Sequence, residues 1–332
     1  MNQPTCSVVI RSKNEAAGIG AALRSVRSQT VTAEIVVVDS GSTDATLAIA
    51  GPLADEVVTI PPETFSFGRA LNIGARRASG SVVFALSAHC VLPDRHWIAQ
   101  ALGHYADPAT AGTCWYRPDP TAPVDPSAAP RPVSFADVAA DPHVGFSNHA
   151  SSWRRSVWEE EPFDEELTSC EDKEWMWRVM LAGWSIVADP RLHVDTGHRR
   201  AAGRRALWRR EFAEHEAIAS RLERPTPGPA ELAREWWSSF PWPSDRPPWQ
   251  RRLSPNRLVE LLAGYRGDRA GAARRGPHTL LLPPAGLPWR AAGGPAGDAT
   301  GSAPSDVTDL RVVDGGLGAS VSDLPPRVSQ QP

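Results

Sequence analysis

The stretch Val82-Val83-Phe84-Ala85-Leu86-Ser87-Ala88-His89 constrains the fold of this chain more than any other. Residues 82–86 are apolar, rich in β-branched and aromatic side chains and without alternation, which is the pattern of a strand buried on both faces. The run then stops at a polar triplet, with Pro93 shortly after. Ser87 and His89 thus stand at a strand's carboxyl end, the edge of an open α/β sheet where ligands bind. Taken alone, the run is equally well explained as a strand entering a polar turn. Its neighbours in the chain decide between the two.

Residues 7–10 read as a first strand, and Arg11-Ser12-Lys13-Asn14-Glu15 as the polar turn after it. Ile19, Leu23 and Val26 recur at helical spacing and predict a helix to about Gln29. Residues 34–39 (Glu-Ile-Val-Val-Val-Asp) form a second buried strand that ends on an acid. Ser40-Gly41-Ser42-Thr43-Asp44 then supplies a turn glycine and several N-cap candidates. A third strand over 57–60 and a helix over 69–78, ended by Gly80, lead into the opening stretch. Such alternation predicts a parallel sheet with right-handed crossovers. Asp39 and Ser87 to His89 then share one sheet edge.

The second half is less regular. Residues 118–132 are too rich in proline for sustained regular structure and read as a loop near that edge. Residues 148–158 return to a structured pattern, 163–166 are turn-like, and 171–181 predict a helix with Trp175, Trp177 and Val179 facing inward. A helix over 204–222 carries Leu207, Phe212, Ile218 and Leu222 as its apolar positions. Arg199, Arg200, Arg204, Arg205, Arg209 and Arg210 cluster at its start. That cluster reads as a solvated face or as a contact for phosphates or an anionic membrane surface. Trp236, Trp237, Trp242 and Trp249, interleaved with prolines, read as packing against the main domain ahead of a membrane belt. After Pro283 large apolar residues are too sparse to offset ordering entropy, which predicts a disordered tail. The expected organisation is a main domain over 1–205, a helical extension rich in Trp and Pro over 206–282, and the tail over 283–332.

Charge and cysteine usage narrow the function classes. With 35 basic and 38 acidic residues the chain is nearly neutral, which argues against nucleic acid as its partner. Cys6, Cys90, Cys114 and Cys170 are far apart and form no C-x-x-C pair, so neither a zinc site nor a disulfide framework is indicated. The N-terminus lacks the basic region and long apolar core of a signal peptide. No apolar run approaches the roughly 18 to 20 residues that span a bilayer. The expectation is a cytoplasmic protein with at most peripheral contact to the inner face of a membrane.

Six segments in order, Ser7 to Glu15, Glu34 to Asp44, Phe67-Gly-Arg-Ala-Leu-Asn-Ile-Gly74, the opening stretch, Phe146-Ser-Asn148 and Glu171-Asp-Lys-Glu-Trp175, resemble family 2 glycosyltransferases, especially the bacterial rhamnosyltransferase-like branch. The similarity spans about residues 5–215. It implies a GT-A fold, a nucleotide-sugar donor (dTDP-, UDP- or GDP-linked) and inversion at the anomeric carbon. The resemblance makes Asp39 the nucleoside contact and places Asn14 and Glu15 at the nucleotide. Arg69 and Asn72, three apart on one helical face, are expected at the diphosphate with Ser87 and His89. Asp172 matches the family's general base, which takes the proton of an acceptor hydroxyl. Glu171 and Trp175 are expected on the acceptor side, and Glu171 and Glu174 to raise the pKa of Asp172 if close. The acceptor class stays open among a growing glycan, a lipid-linked sugar and a small molecule.

One departure bears on the cofactor. Where most of the family has Asp-x-Asp to hold a divalent cation, this chain has Ser87-Ala88-His89. His89 can ligate Mn²⁺ through a neutral imidazole, and His198 falls where the fold often supplies a second ligand. Two histidines without a carboxylate are a weak site for Mg²⁺. The cation is therefore a softer ion on His89 and His198, or it is absent and Arg and His donors serve the diphosphate. The missing motif also leaves open a catalytically silent nucleotide- or sugar-binding protein of the same fold. A dinucleotide dehydrogenase is disfavoured because residues 11–15 contain no glycine, and a sugar-phosphate nucleotidyltransferase because no glycine-rich basic loop follows the first strand.

Overall fold

In the computed structural model, residues 5–115, 127–196, 203–238 and 255–282 are described. The first strand, β1 (Cys6–Ser12), pairs in parallel with β2 (Glu34–Asp39) on one side and with β4 (Val82–Ser87) on the other, and β3 (Glu56–Thr59) extends the sheet beyond β2. This parallel half matches the alternation read from the sequence. Beyond β4 the sheet is mixed. β8 (Ala150–Arg154) runs antiparallel to both β4 and β6 (Thr110–Cys114), β6 is parallel to β9 (Ser185–Ala188), and β7 (Arg131–Pro132) closes the edge antiparallel to β9. The order is β3-β2-β1-β4-β8-β6-β9-β7. A separate two-stranded ribbon joins β5 (Cys90–Val91) to β10 (Asp195–Thr196). Of the proline-rich stretch, 116–126 lies outside the described residues, while Arg131 and Pro132 belong to that edge strand.

The central strands read as continuous apolar runs because both sheet faces are covered. On one face Val8, Ile10, Ile35, Val37, Phe84 and Leu86 pack with Ile19, Leu23 and Val26 of α1 (Ile19–Arg27) and with Trp97 and Ile98 of α4 (Trp97–Gly103). On the other, Val9, Val36, Val38, Val83 and Ala85 pack with Leu71 and Ile73 of α3 (Phe67–Arg77) and with Trp175, Trp177 and Val179 of α7 (Glu171–Leu181). The short helices α2 (Thr46–Ala50), α5 (Phe135–Ala140) and α6 (Arg155–Glu160) fill the connections. All four cysteines are free thiols.

The C-terminal segment is built on α8 (Arg204–Arg221), α9 (Pro229–Ser238) and α10 (Pro255–Ala272). Ile218 and Leu222 belong to the same core as Trp175 and Met176, so this segment packs directly on the sheet domain. α8 and α10 lie very close. A Cβ on Gly267 would sit 2.6 Å from the Phe212 carbonyl oxygen, and one on Gly271 2.3 Å from that of Glu216. The two contacts advance together along both chains, so the helices are parallel and their N-termini share one end. The side chains of Trp236 and Trp237, together with Trp242, Trp249, Arg199, Arg200 and the tail expected after Pro283, lie outside the described residues. No described helix is long and apolar enough to cross a membrane.

Candidate active site

The site forms where β1, β2 and β4 end. Parallel register sets Ser12 beside Asp39 and Arg11 beside Ser87. Asp39 is fully buried. One of its oxygens accepts from the hydroxyls of Ser12 (2.9 Å) and Ser42 (2.5 Å), the other from the backbone N–H groups of Gly41 (3.0 Å) and Ser42 (2.8 Å). Four donors fill a carboxylate's acceptor positions, so any further donor has to displace one of them. Asn14 adopts a left-handed backbone (φ 54°), which asparagine tolerates. Its Oδ1 accepts from the Thr43 N–H (2.8 Å) while its own N–H donates to Ser42 Oγ (2.8 Å), which stitches the β1–α1 and β2–α2 turns together.

Glu15 anchors its backbone N–H on Thr46 Oγ1 (2.7 Å), and its carboxylate faces His89, Oε1 to Nδ1 3.6 Å. Gly18 permits this approach, since a Cβ there would meet the Ala88 carbonyl oxygen at 3.0 Å. His89 Nδ1 is buried and makes no hydrogen bond. The His149 ring lies 6.1 Å from that of His89, edge to face. Desolvation by the surrounding protein lowers the His149 pKa, against the opposing charge of Asp172.

The two acids at the start of α7 are brought to this edge by three residues. Cys170, just before them, is in the left-handed region (φ 59°). Among the described residues it and Asn14 are the non-glycine positions with positive φ, and both flank the site, where stored backbone strain concentrates. Asn148 donates from its backbone N–H to Asp172 Oδ2 (3.0 Å) and from its side chain to Glu171 Oε1 (2.9 Å), while its carbonyl accepts from Ser87 Oγ (3.3 Å). Arg11 reaches from β1 to Glu171 Oε1 (3.3 Å), its guanidinium 5.0 Å from the Phe67 ring centroid. Burial pushes the Glu171 carboxyl up to about 7, the neighbouring Asp172 adds to the rise, and Arg11 and Asn148 oppose it. Glu174 turns away and pairs with Arg178 (2.6 Å).

Two expected site residues serve the fold instead. Asn72 is buried with all four hydrogen bonds made. Its Oδ1 accepts from Trp158 Nε1 (2.9 Å) and the Phe163 N–H (3.1 Å), and its Nδ2 donates to the Phe163 carbonyl (2.9 Å) and Glu165 Oε1 (2.9 Å). No capacity remains for a diphosphate. Trp175 is fully buried and donates its indole N–H to the Glu161 carbonyl (2.6 Å), so it cannot touch an acceptor. Arg69 stays half exposed and pairs with Glu165 (3.4 Å). The Phe67 to Gly74 motif is thus a dock for residues 163–165, and a Cβ on Gly68 would lie 2.2 Å from the Asp164 carbonyl oxygen.

Asn14, Glu15, Asp39, Ser87, His89, Glu171 and Asp172 do converge on one edge. Arg11, Asn148 and His149 complete it and were not singled out from sequence. A charged residue inside an otherwise apolar strand was the signal for Arg11. His198 lies outside the described residues. No group of three His, Cys, Asp or Glu side chains among the described residues is arranged to hold a metal ion. Glu15 and His89 supply two donors, which by themselves do not make a divalent-cation site.

Comparison with known proteins agrees with this architecture. Residues 7–158 match the family model of glycosyl transferase family 2. The fold is shared with a mannosyltransferase from Pyrobaculum calidifontis, solved in complex with GDP-Man and Mn²⁺ (TM-score 0.51, 18% identity, covering 82% of this chain and 74% of that one). It is also shared with glucosyl-3-phosphoglycerate synthase from Mycobacterium tuberculosis, solved with Mn²⁺, UDP and phosphoglyceric acid (TM-score 0.50, 18% identity, 65% of this chain and 76% of that one). No curated protein sequence gives a significant match.

Proposed function

We propose that the chain is an inverting glycosyltransferase of the hexosyltransferase type that moves a sugar from a nucleoside-diphosphate donor to a hydroxyl acceptor, with Asp172 as general base. The observation that carries the proposal is the placement of Asp172 beside the strand ends, where Asn148 fixes one carboxylate oxygen by its backbone N–H. In the proposed step the acceptor oxygen gives its proton to Asp172 as it bonds to the anomeric carbon, the glycosidic bond to the diphosphate breaks, and the nucleoside diphosphate leaves with that electron pair. A single displacement inverts the anomeric centre.

Asn14, Ser42 and the turn held by Asp39 would receive the nucleoside, while Ser87, His89 and Arg69 would line the way to the diphosphate. Glu171, its carboxyl raised to about 7, would carry less negative charge beside the departing anion than an ordinary carboxylate. The nucleotides in the two solved relatives support a donor of this class. A divalent cation, Mn²⁺ before Mg²⁺, would neutralise the diphosphate if His198 joins His89. A dTDP-linked rhamnose donor and a cytoplasmic setting, with a glycan, lipid-linked or small-molecule acceptor, are proposed on resemblance alone.

The test is calorimetric titration with UDP, dTDP and GDP, each with and without Mn²⁺. The proposal expects one nucleoside diphosphate to bind tightly and Asp39→Ala to abolish that binding. Binding by none would overturn it in favour of a silent relative of the fold.

A further inference from the structure

At the end of the molecule where α8 and α10 both begin lies a cavity of about 310 Å³ lined by Arg204, Arg205, Trp208, Arg209 and Val259. The arginines and the tryptophan sit at i, i+1, i+4 and i+5, so one helical face presents them all. Arg266 of α10 lies over Trp208, its guanidinium 5.6 Å from the ring centroid.

Two features distinguish this patch from an ordinary solvated charge run. The first is electrostatic. Arg210 is compensated by Glu211 (2.7 Å) and Glu214 (3.9 Å), whereas Arg204, Arg205 and Arg209 have no carboxylate within 4.0 Å among the described residues. They crowd the N-terminal turns of α8, where the helix dipole is already positive, and the parallel α10 adds a second positive end beside them. The acids described nearby, Glu211 and Glu214 of α8 and Glu260 of α10, act on Arg210. The second is apolar. Leu258 (46% exposed) and Leu262 (37%) stand one turn apart on α10 at the same end, in line with exposed Arg266. Uncompensated arginines, an amphipathic tryptophan and exposed leucines on one surface are what an interfacial helix presents to a charged bilayer.

We infer that this end of the helix pair docks on a membrane surface rich in anionic phospholipid, with Arg204, Arg205 and Arg209 meeting headgroup phosphates and Leu258 and Leu262 entering the acyl boundary. The surface is independent of the sugar-transfer reading, since none of these residues belongs to the candidate active site.

The experiment is sedimentation of the full-length protein with vesicles of phosphatidylcholine alone or with about 30 mol% phosphatidylglycerol. The wild type is expected to bind only the anionic vesicles and to be released by about 0.5 M salt. Each basic residue near such a surface is worth about fivefold in partitioning, so the triple variant Arg204→Ala, Arg205→Ala, Arg209→Ala should bind about a hundredfold more weakly. The double variant Leu258→Ser, Leu262→Ser should also weaken binding with its charge unchanged. Melting temperatures within about 2 °C of the wild type would confirm that the variants fold. Absence of wild-type binding to anionic vesicles, or equal binding by the triple variant, would overturn the inference. So would calorimetric binding of inorganic pyrophosphate, lost in the triple variant, without any vesicle binding, because the cavity would then serve a soluble phosphate.

Discussion

Replacing Asn72 by Leu separates a structural role from a donor-binding one. The substitution nearly conserves volume but removes every hydrogen bond of the buried amide. Trp158 Nε1, the Phe163 N–H and the Phe163 carbonyl then lose their partner, while Glu165 keeps Arg69 and Arg76. An unsatisfied buried polar group costs about 1–3 kcal/mol. Three such groups, eased by some water entry, give about 3–5 kcal/mol. At roughly 2–4 °C per kcal/mol for a domain of this size, the melting temperature should fall by about 6–20 °C. Scanning calorimetry reads that shift, and titration with the nucleoside diphosphate that binds the wild type reads the other quantity, with affinity expected within about twofold below the melting range. A melting temperature within about 2 °C of the wild type, combined with a tenfold loss of nucleotide affinity, would refute the reasoning and restore Asn72 to the donor site.

Further expectations concern the same framework. Gly68→Ala drives a Cβ into the Asp164 carbonyl and should cost about 1–3 kcal/mol, seen as a lower denaturation midpoint and faster proteolysis within residues 163–166. Glu171 is raised from 4.5 to about 7 in the folded chain, so its contribution to stability is fully present below pH 4.5 and is lost as pH rises through 7. The melting temperature of Glu171→Gln, measured against pH, should lack that decline. Arg11→Met removes the cation beside Glu171, so the decline should move to higher pH, and an unchanged profile would show that the pair does not interact. Gly271→Ala should separate α8 from α10 and lower the melting temperature without changing nucleotide affinity.

The parallel half of the sheet and its ligand-binding edge were legible because strands buried on both faces leave unbroken apolar runs. The predicted 34–39 strand and the 171–181 helix coincide with β2 and α7. The antiparallel β8 was not legible, since Ala-Ser-Ser-Trp-Arg has no strand pattern and is fixed by pairing with β4 and β6. Asn72 was misplaced for a physical reason. Helical spacing shows which residues share a face, but not whether that face meets a ligand or the 163–165 loop from ninety residues away. Trp175 was read correctly as inward-facing, and that burial is what removes it from the acceptor side. Arg11 and Asn148 meet Glu171 across long sequence separations, so a charge in an apolar strand and the Phe146-Ser-Asn148 segment mark the residues but not their partner.

The central claim is that Asp172 removes the acceptor proton. It is tested most directly by comparing sugar transfer in wild type and Asp172→Asn, with the nucleoside-diphosphate dissociation constant measured for both. The account expects turnover to fall by about 10²–10⁴ while nucleotide affinity is unchanged. Transfer within a few-fold of the wild type, at equal affinity, would contradict it.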